Sequence, residues 1–337
     1  MRTKIIIGVI LSLGVTALIS LFGAKDTLFA AFRAIDLLIF SFACFLYFIF
    51  ILIDAFRTKI LLTHDGIKIG YLLCLQNTVL GLYTSAITPF SAGGQPFQIY
   101  HLVKNNVSIE RSSMAIGVKF ITSLTLMITA SFVLIALNGK RLVSDSSSAF
   151  VIYTGFILTS IVYVFFLFLI LSKNFTYKIF TSKLLTRMIS RLTKKNTQVV
   201  FKKTVDSLSN YFGMIRNLWT SSKLLLTFNV LLTGLEIILT MSVPYILMLS
   251  FGFQKVNYFE FLAAMLAMTM VVYFLPTPGS SGGIEGAFYM MFKNLVSRDI
   301  VVATVITWRL ITYYTMIAVG TFLLSRVLWA LRQTKPQ

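Results

Sequence analysis

Glu236, Glu285 and Arg309 stand inside strongly apolar stretches of the sequence. A carboxylate or guanidinium at membrane depth is costly, so such groups pair with one another, line a wet path or hold a charged ligand. Glu236 falls near the middle of the apolar run 223–250, and Asn229, Thr233 and Thr240 recur with it at helical spacing, making one polar stripe. Glu285 follows a Gly-Gly pair, and Arg309 lies inside the last apolar run with Thr312 three residues on. Arg309 suits a pair with Glu285, a pair with Glu236, or a bidentate grip on a lipid phosphate. A static ion pair that only locks helices together is the bland alternative. Lys119 stands one to two turns inside its run, where it is expected to snorkel to the surface. Asp54 and Arg57 close another run and are expected at the interface. His101 is expected to pack or hydrogen-bond. Cys44 and Cys74, both in apolar runs, are expected to pack as free thiols. No Cys/His ligand spacing, carboxylate pair or nucleophile–His arrangement is present, so no metal, cofactor or catalytic residue is assigned.

The elements that must position these residues are broken twice by nearly the same word. TPFSAGGQ begins at Thr88 and TPGSSGGI at Thr277, 189 positions later, with five of eight residues shared. Pro89 and Pro278 each stop a preceding helix. Gly93–Gly94 and Gly282–Gly283 allow tight turns and close backbone approach, and Ser91 and Ser280 can satisfy freed backbone groups. Each break precedes a helix start, with Pro96 suited to one first turn and Glu285 to the other. The beginning of such a half-helix offers unpaired N–H groups that suit a phosphate. Close packing of small residues is the alternative for either motif alone. The expected lipid-binding or gating set is therefore Thr88, Pro89, Ser91, Gly93, Gly94 and Gln95 in the first word. It is completed by Thr277, Pro278, Ser280, Gly282, Gly283 and Glu285 in the second, with Glu236 and Arg309.

Apolar runs of spanning length recur through the chain, which is 57% hydrophobic and 12% charged. A bilayer core takes about 20 apolar residues per helix. Helices are predicted over 4–23, 34–56, 69–87, 113–138, 149–172, 223–250, 259–275 and 300–328. The N-terminal run lacks a small-residue cleavage site and is expected to be an uncleaved first helix. The net charge of +19 needs no nucleic acid, because no basic module with aromatic or groove-reading elements accompanies it. Segment 173–203 alone carries nine Lys and Arg and no acid, which marks a cytoplasmic loop. The spacing of Lys183, Arg187, Arg191 and Lys194 also suits a helix lying on an anionic membrane surface. Arg2 and Lys4 place the N-terminus on the cytoplasmic side of the cell membrane, and Arg326, Arg332 and Lys335 place the C-terminus there too.

Counting crossings from these anchors makes 69–103 begin and end inside and 252–298 begin and end outside. The two words then face opposite sides of the bilayer, the pattern of an inverted-topology repeat with broken or re-entrant helices. The expected fold is an all-α polytopic membrane protein of about six full spans plus two broken helix pairs. It forms a single transmembrane domain over 1–337, with repeats at 34–138 and 223–328 and a basic loop at 173–222.

Three stretches, ITPFSAGGQPFQIYHL (87–102), PTPGSSGGIEGAFYMMF (276–292) and WRLITYY (308–314), resemble the bacterial flippase-like membrane family. That family is related to the N-terminal membrane domain of lysylphosphatidylglycerol synthase, the multiple peptide resistance factor, and the resemblance covers essentially the whole chain. It implies a lipid-handling domain that moves aminoacylated phosphatidylglycerol between leaflets. The synthases add a soluble domain that transfers an aminoacyl group from tRNA to the lipid. Nothing here matches it, since 173–222 is basic and too small for such a core, so transferase activity is not carried over.

The leading expectation is a phospholipid transporter or flippase with a central polar cavity built by the two Gly-Gly elements. No Walker motif supports ATP hydrolysis. An integral membrane transferase would need Glu285, Glu236 or Asp54 as acid or base. A non-transporting scaffold is the third reading. Phospholipids are the expected partners, and a homo-oligomer is compatible with the sequence.

Overall fold

Asp36 starts the first described helix, α1 (Leu37–His64), its Oδ1 accepting from the Leu38 and Ile39 amides at 2.8 and 3.3 Å. Such a cap satisfies two of the four amides that a helix start leaves bare. Nothing in the sequence stops α1 at 56. It continues until Gly66, whose φ of +81° turns the chain and whose amide donates to Thr63 O at 3.0 Å. The computed structural model describes residues 35–142, 146–172, 213, 218, 220–252, 257–272, 274–293 and 295–333. The expected span 4–23 and the basic segment 173–203 lie outside those residues.

The remaining elements follow in order. They are α2 (Tyr71–Ile87), α3 (Gly94–Lys104), α4 (Ile109–Leu142), α5 (Ser146–Leu171) and α6 (Lys223–Ser250), then α7 (Tyr258–Val272), α8 (Gly283–Phe292) and α9 (Arg298–Arg309). The chain then makes a π-helical turn, Leu310–Tyr314, and runs on as α10 (Thr315–Gln333). No strand occurs among the described residues, apart from one isolated bridge described below. Four helical stretches are long and apolar enough to cross a membrane: α1, α4 to Leu137, α6, and the α9–α10 unit from Arg298 to Val327. The protein is an all-α membrane protein.

Helix starts recur at the offset of the two words. Adding 189 to Gly94 gives Gly283, the start of α8, and adding it to Ile109 gives Arg298, the start of α9. The α1–α4 sequence of long, short, short and long elements is matched by α6–α10. The long helices α1 and α6 pack along each other, α2 lies against α10, and α7 lies against α4. Helix α5, outside both sets, covers α7 and α4.

Two differently filled interiors result. Under α8 and α9 the core is aromatic, with Phe288 and Phe292 centroids 4.7 Å apart, Phe261 stacked on Phe292 and edge-on to Phe288, and Trp308 tilted against Phe288. Such side chains bury large apolar areas and pack at preferred angles. At the equivalent positions of the first set, 189 residues earlier, stand Ile99, Val103 and Lys119 in place of Phe288, Phe292 and Trp308. The space those rings fill under α8 and α9 is correspondingly less filled under α3 and α4.

Candidate functional site

The two words meet. Pro89 and Pro278 form an antiparallel bridge, and the Gly279 amide donates to Thr88 O at 3.4 Å. Their backbones match at the turn. Phe90 and Ser91 have φ of 56° and 51°, and Gly279 and Ser280 have 55° and 53°. Left-handed φ is unusual for any residue but glycine, so Phe90, Ser91 and Ser280 are held there by the surrounding structure. Gly279 has little choice of residue, because a Cβ there would meet Ala86 O at 2.8 Å and the Tyr313 ring.

The second word is closed by its own charges. Glu285 is 1% exposed; its Oε2 accepts from the Gly282 amide at 2.6 Å and its Oε1 from Arg309 Nε at 2.7 Å. The carboxylate thus caps the start of α8, where an external anion would otherwise bind. Arg309 also donates to Gly279 O at 3.3 Å and lies 4.8 Å from the Tyr313 ring centroid. The π-helical turn after Arg309 carries Tyr313, whose hydroxyl donates to Ala86 O at 3.1 Å, at the end of α2. Of the pairings open in the sequence, Arg309 takes Glu285, and Glu236 lies elsewhere.

The first word opens on a cavity of about 1250 Å³. Ser91, Gly94 and Gln95 line it, while Thr88, Pro89 and Gly93 build the turn behind them. Thr88 Oγ1 accepts from the Gly93 amide at 2.9 Å and donates to Thr84 O at 2.7 Å. That leaves the first-turn amides of Gly94 and Gln95, which have no intrahelical acceptor, at the cavity wall. No member of the second word lines this space. The expectation of a cavity built by both Gly-Gly elements is therefore corrected. The second is sealed by Glu285, Arg309 and the aromatic core, and only the first faces the void.

Five charged residues line the cavity: Glu110 in the first turn of α4, and four that form its polar floor, Asp54 and Arg57 from α1, Lys119 from α4 and Glu236 from α6. Lys119 Nζ donates to Asp54 Oδ2 at 2.8 Å, Asp54 O at 3.0 Å and Thr58 Oγ1 at 2.7 Å. Thr78 donates to the same Asp54 oxygen at 2.7 Å. Arg57 pairs with Glu236 Oε2 and donates from Nε to Asn229 Oδ1 at 3.0 Å. Glu236 Oε1 is buried without a hydrogen-bond partner. Two acids and two bases cancel, as buried charges must.

Two expectations fail here for one reason. Arg57 is 1% exposed and Lys119 is 6% exposed, so neither reaches an aqueous surface. Helix α1 runs to His64 rather than 56 and α4 begins at Ile109 rather than 113. At 1.5 Å per residue, Arg57 therefore lies about 10 Å from the end of its helix and Lys119 about 15 Å from the start of its own. Hydropathy alone places a helix end at the first charges it meets. A charge that finds its partner on another helix carries no such signal. His101 is buried as expected, with Nδ1 3.3 Å from Asn77 Nδ2, and both cysteines are free, Cys74 buried and Cys44 only partly so.

A chain with this architecture matches the sequence profile of the lysylphosphatidylglycerol synthase TM region over residues 5–320. It is also similar to a UPF0104 membrane protein of Archaeoglobus fulgidus, 24% identical over 315 residues, covering 93% of this chain and 94% of that protein. With the match running through α1–α9 and both Gly-Gly words, the chain belongs to the lysylphosphatidylglycerol synthase TM region family.

Proposed function

We propose that the protein binds phospholipid headgroups in the cavity beside the first word and moves them across the bilayer. The observation that carries this reading is the cavity itself, with apolar walls, a charged floor and a half-helix start. At about 1250 Å³ it exceeds the ~300–1,000 Å³ usual for small-molecule pockets, which leaves room for a headgroup and part of its acyl chains. The phosphate docks toward Arg57, Lys119 and the Gly94 and Gln95 amides, while acyl chains remain against apolar side chains. Phe90 and Ile109, both about half exposed, stand at its edge. The family name points to aminoacylated phosphatidylglycerol as a first lipid to test.

The antiparallel meeting of the two words and the recurrence of helix starts support an inverted repeat. In that arrangement the second repeat is the closed support and the first is the path. With both termini on the cytoplasmic face of the cell membrane, the cavity floor lies within the bilayer. The test is lipid movement in proteoliposomes carrying labelled phosphatidylglycerol, lysyl-phosphatidylglycerol or phosphatidylethanolamine. Headgroup movement no faster than in protein-free vesicles, for all three, would sink the proposal.

A further inference from the structure

Glu236 is the member of the cavity floor whose carboxylate has a buried oxygen without a hydrogen bond. Its side chain is 7% exposed, Oε2 is held by Arg57, and Oε1 has no hydrogen-bond partner while the residue lines the cavity. A buried oxygen that stays bare loses the hydration it had in water and recovers nothing. Asp54, the other acid of the floor, is served by Lys119 and Thr78. The arrangement is therefore uneven: one carboxylate is well held, and the other depends on a single guanidinium.

That dependence matters if a ligand competes for Arg57. A phosphate accepts two N–H bonds from a guanidinium in a fork geometry that Glu236, using one oxygen, does not match here. The guanidinium is one rigid plane that also holds Asn229 Oδ1 through Nε at 3.0 Å, so a phosphate that takes it draws Nη1 away from Glu236 and Nε away from Asn229 together. Glu236 then has no cation of its own. The charged groups acting on it are Asp54 and Arg57 from α1 and Lys119 from α4. Lys119 is committed to Asp54, and Asp54 only adds repulsion. The other helices packed on α6 carry their charges elsewhere. Glu260 sits in the first turn of α7, Arg298 and Asp299 sit in that of α9, and Arg309 is held by Glu285.

We infer that Glu236 is a proton-binding residue, coupled to occupancy of the cavity: an anionic headgroup takes Arg57, and the released carboxylate takes a proton at Oε1. This rests on the proposed headgroup binding. The proton comes from the bulk solution, its conjugate base staying there as ionised buffer, and forms an O–H bond on the carboxylate, so one negative charge and one positive charge enter together. The floor stays neutral in both states. Release of the headgroup returns Arg57 to Glu236 and expels the proton. Lipid movement by this route responds to a pH gradient without any nucleotide.

The test is titration calorimetry of the purified full chain with a short-chain, ether-linked phosphatidylglycerol. Repeating it in buffers of different ionisation heat counts the protons exchanged. Uptake of about one proton per bound lipid is expected, by the linkage between ligand and proton binding. In Glu236→Gln, the uptake falls to about zero. Infrared difference spectra of the native protein supply a second readout that needs no variant. Lipid binding should produce a protonated carboxyl C=O band, visible because the ether lipid has no ester carbonyl. Lipid that binds with no proton uptake overturns this inference and leaves headgroup binding standing. Uptake that persists undiminished in Glu236→Gln assigns the proton to another group and also overturns it. Absence of lipid binding by the native protein overturns both readings together.

Discussion

The two Gly-Gly words share residues, backbone angles and an antiparallel contact, yet one is a wall of a cavity and the other is part of a dry core. The difference lies in what surrounds them. At the third position of α8 stands Glu285, which caps its own helix start and holds Arg309. The equivalent residue of α3, 189 positions earlier, is Pro96, with no charge to offer. Aromatic rings pack under α8, whereas Ile99, Val103 and Lys119 stand at the equivalent positions of the first set. A duplicated break in a helix is thus a structural element of neutral purpose. Its neighbours decide whether the exposed amides meet a side chain of the same protein or an open space.

Removing the lock tests the contrast most severely. Arg309→Met leaves Glu285 buried without its cation and should lower stability by about 3–5 kcal/mol, read from thermal unfolding in detergent. Pairing it with Glu285→Gln should recover most of that loss. A neutral single variant would mean that the second word is not held shut by this pair.

The turn itself gives a second comparison. Gly279→Ala places a Cβ at positive φ against Ala86 O, and should destabilise by about 1–3 kcal/mol. Phe90→Gly, at the matching position, removes strain instead and should change stability by less than about 1 kcal/mol. Equal losses at the two positions would show that the shared backbone angles are not what holds the contact.

Copying the second set into the first should close the path. Ile99→Phe with Pro96→Glu adds a ring and a capping carboxylate. Lipid movement should fall at least tenfold, equivalent to about 1.4 kcal/mol, while the unfolding midpoint holds. Undiminished movement in a folded variant would place the path outside this cavity. Thr88→Val should have a small effect. It deletes the cap on the Gly93 amide and should cost about 1 kcal/mol in the same unfolding measurement.

Much of this was legible in the chain. The helices are apolar over lengths that only a bilayer requires, and the stop at Pro89 and the start of a half-helix after each Gly-Gly follow from local chemistry, whereas α7 ends at Val272, six residues before Pro278. Glu285 as a first-turn carboxylate and Arg309 as a residue needing a partner were legible too. The roles of Asp54, Arg57 and Lys119 were not. Each stands near the edge of an apolar run, where hydropathy reads an interfacial charge, and their ion-pair partners are 65 and 179 positions away in sequence. The π-helical turn after Arg309 was also invisible, because WRLITYY has the composition of an ordinary helix.

The sequence by itself determined the helical membrane class, the repeated break and the burial of Glu236, Glu285 and Arg309, because spanning length, proline, glycine and desolvation cost act locally on the chain. Only the tertiary structure decided which charges pair and which break faces a cavity. Those outcomes depend on helices that meet across long loops, and on whether a neighbouring helix brings a carboxylate and aromatic rings to the gap or leaves it open.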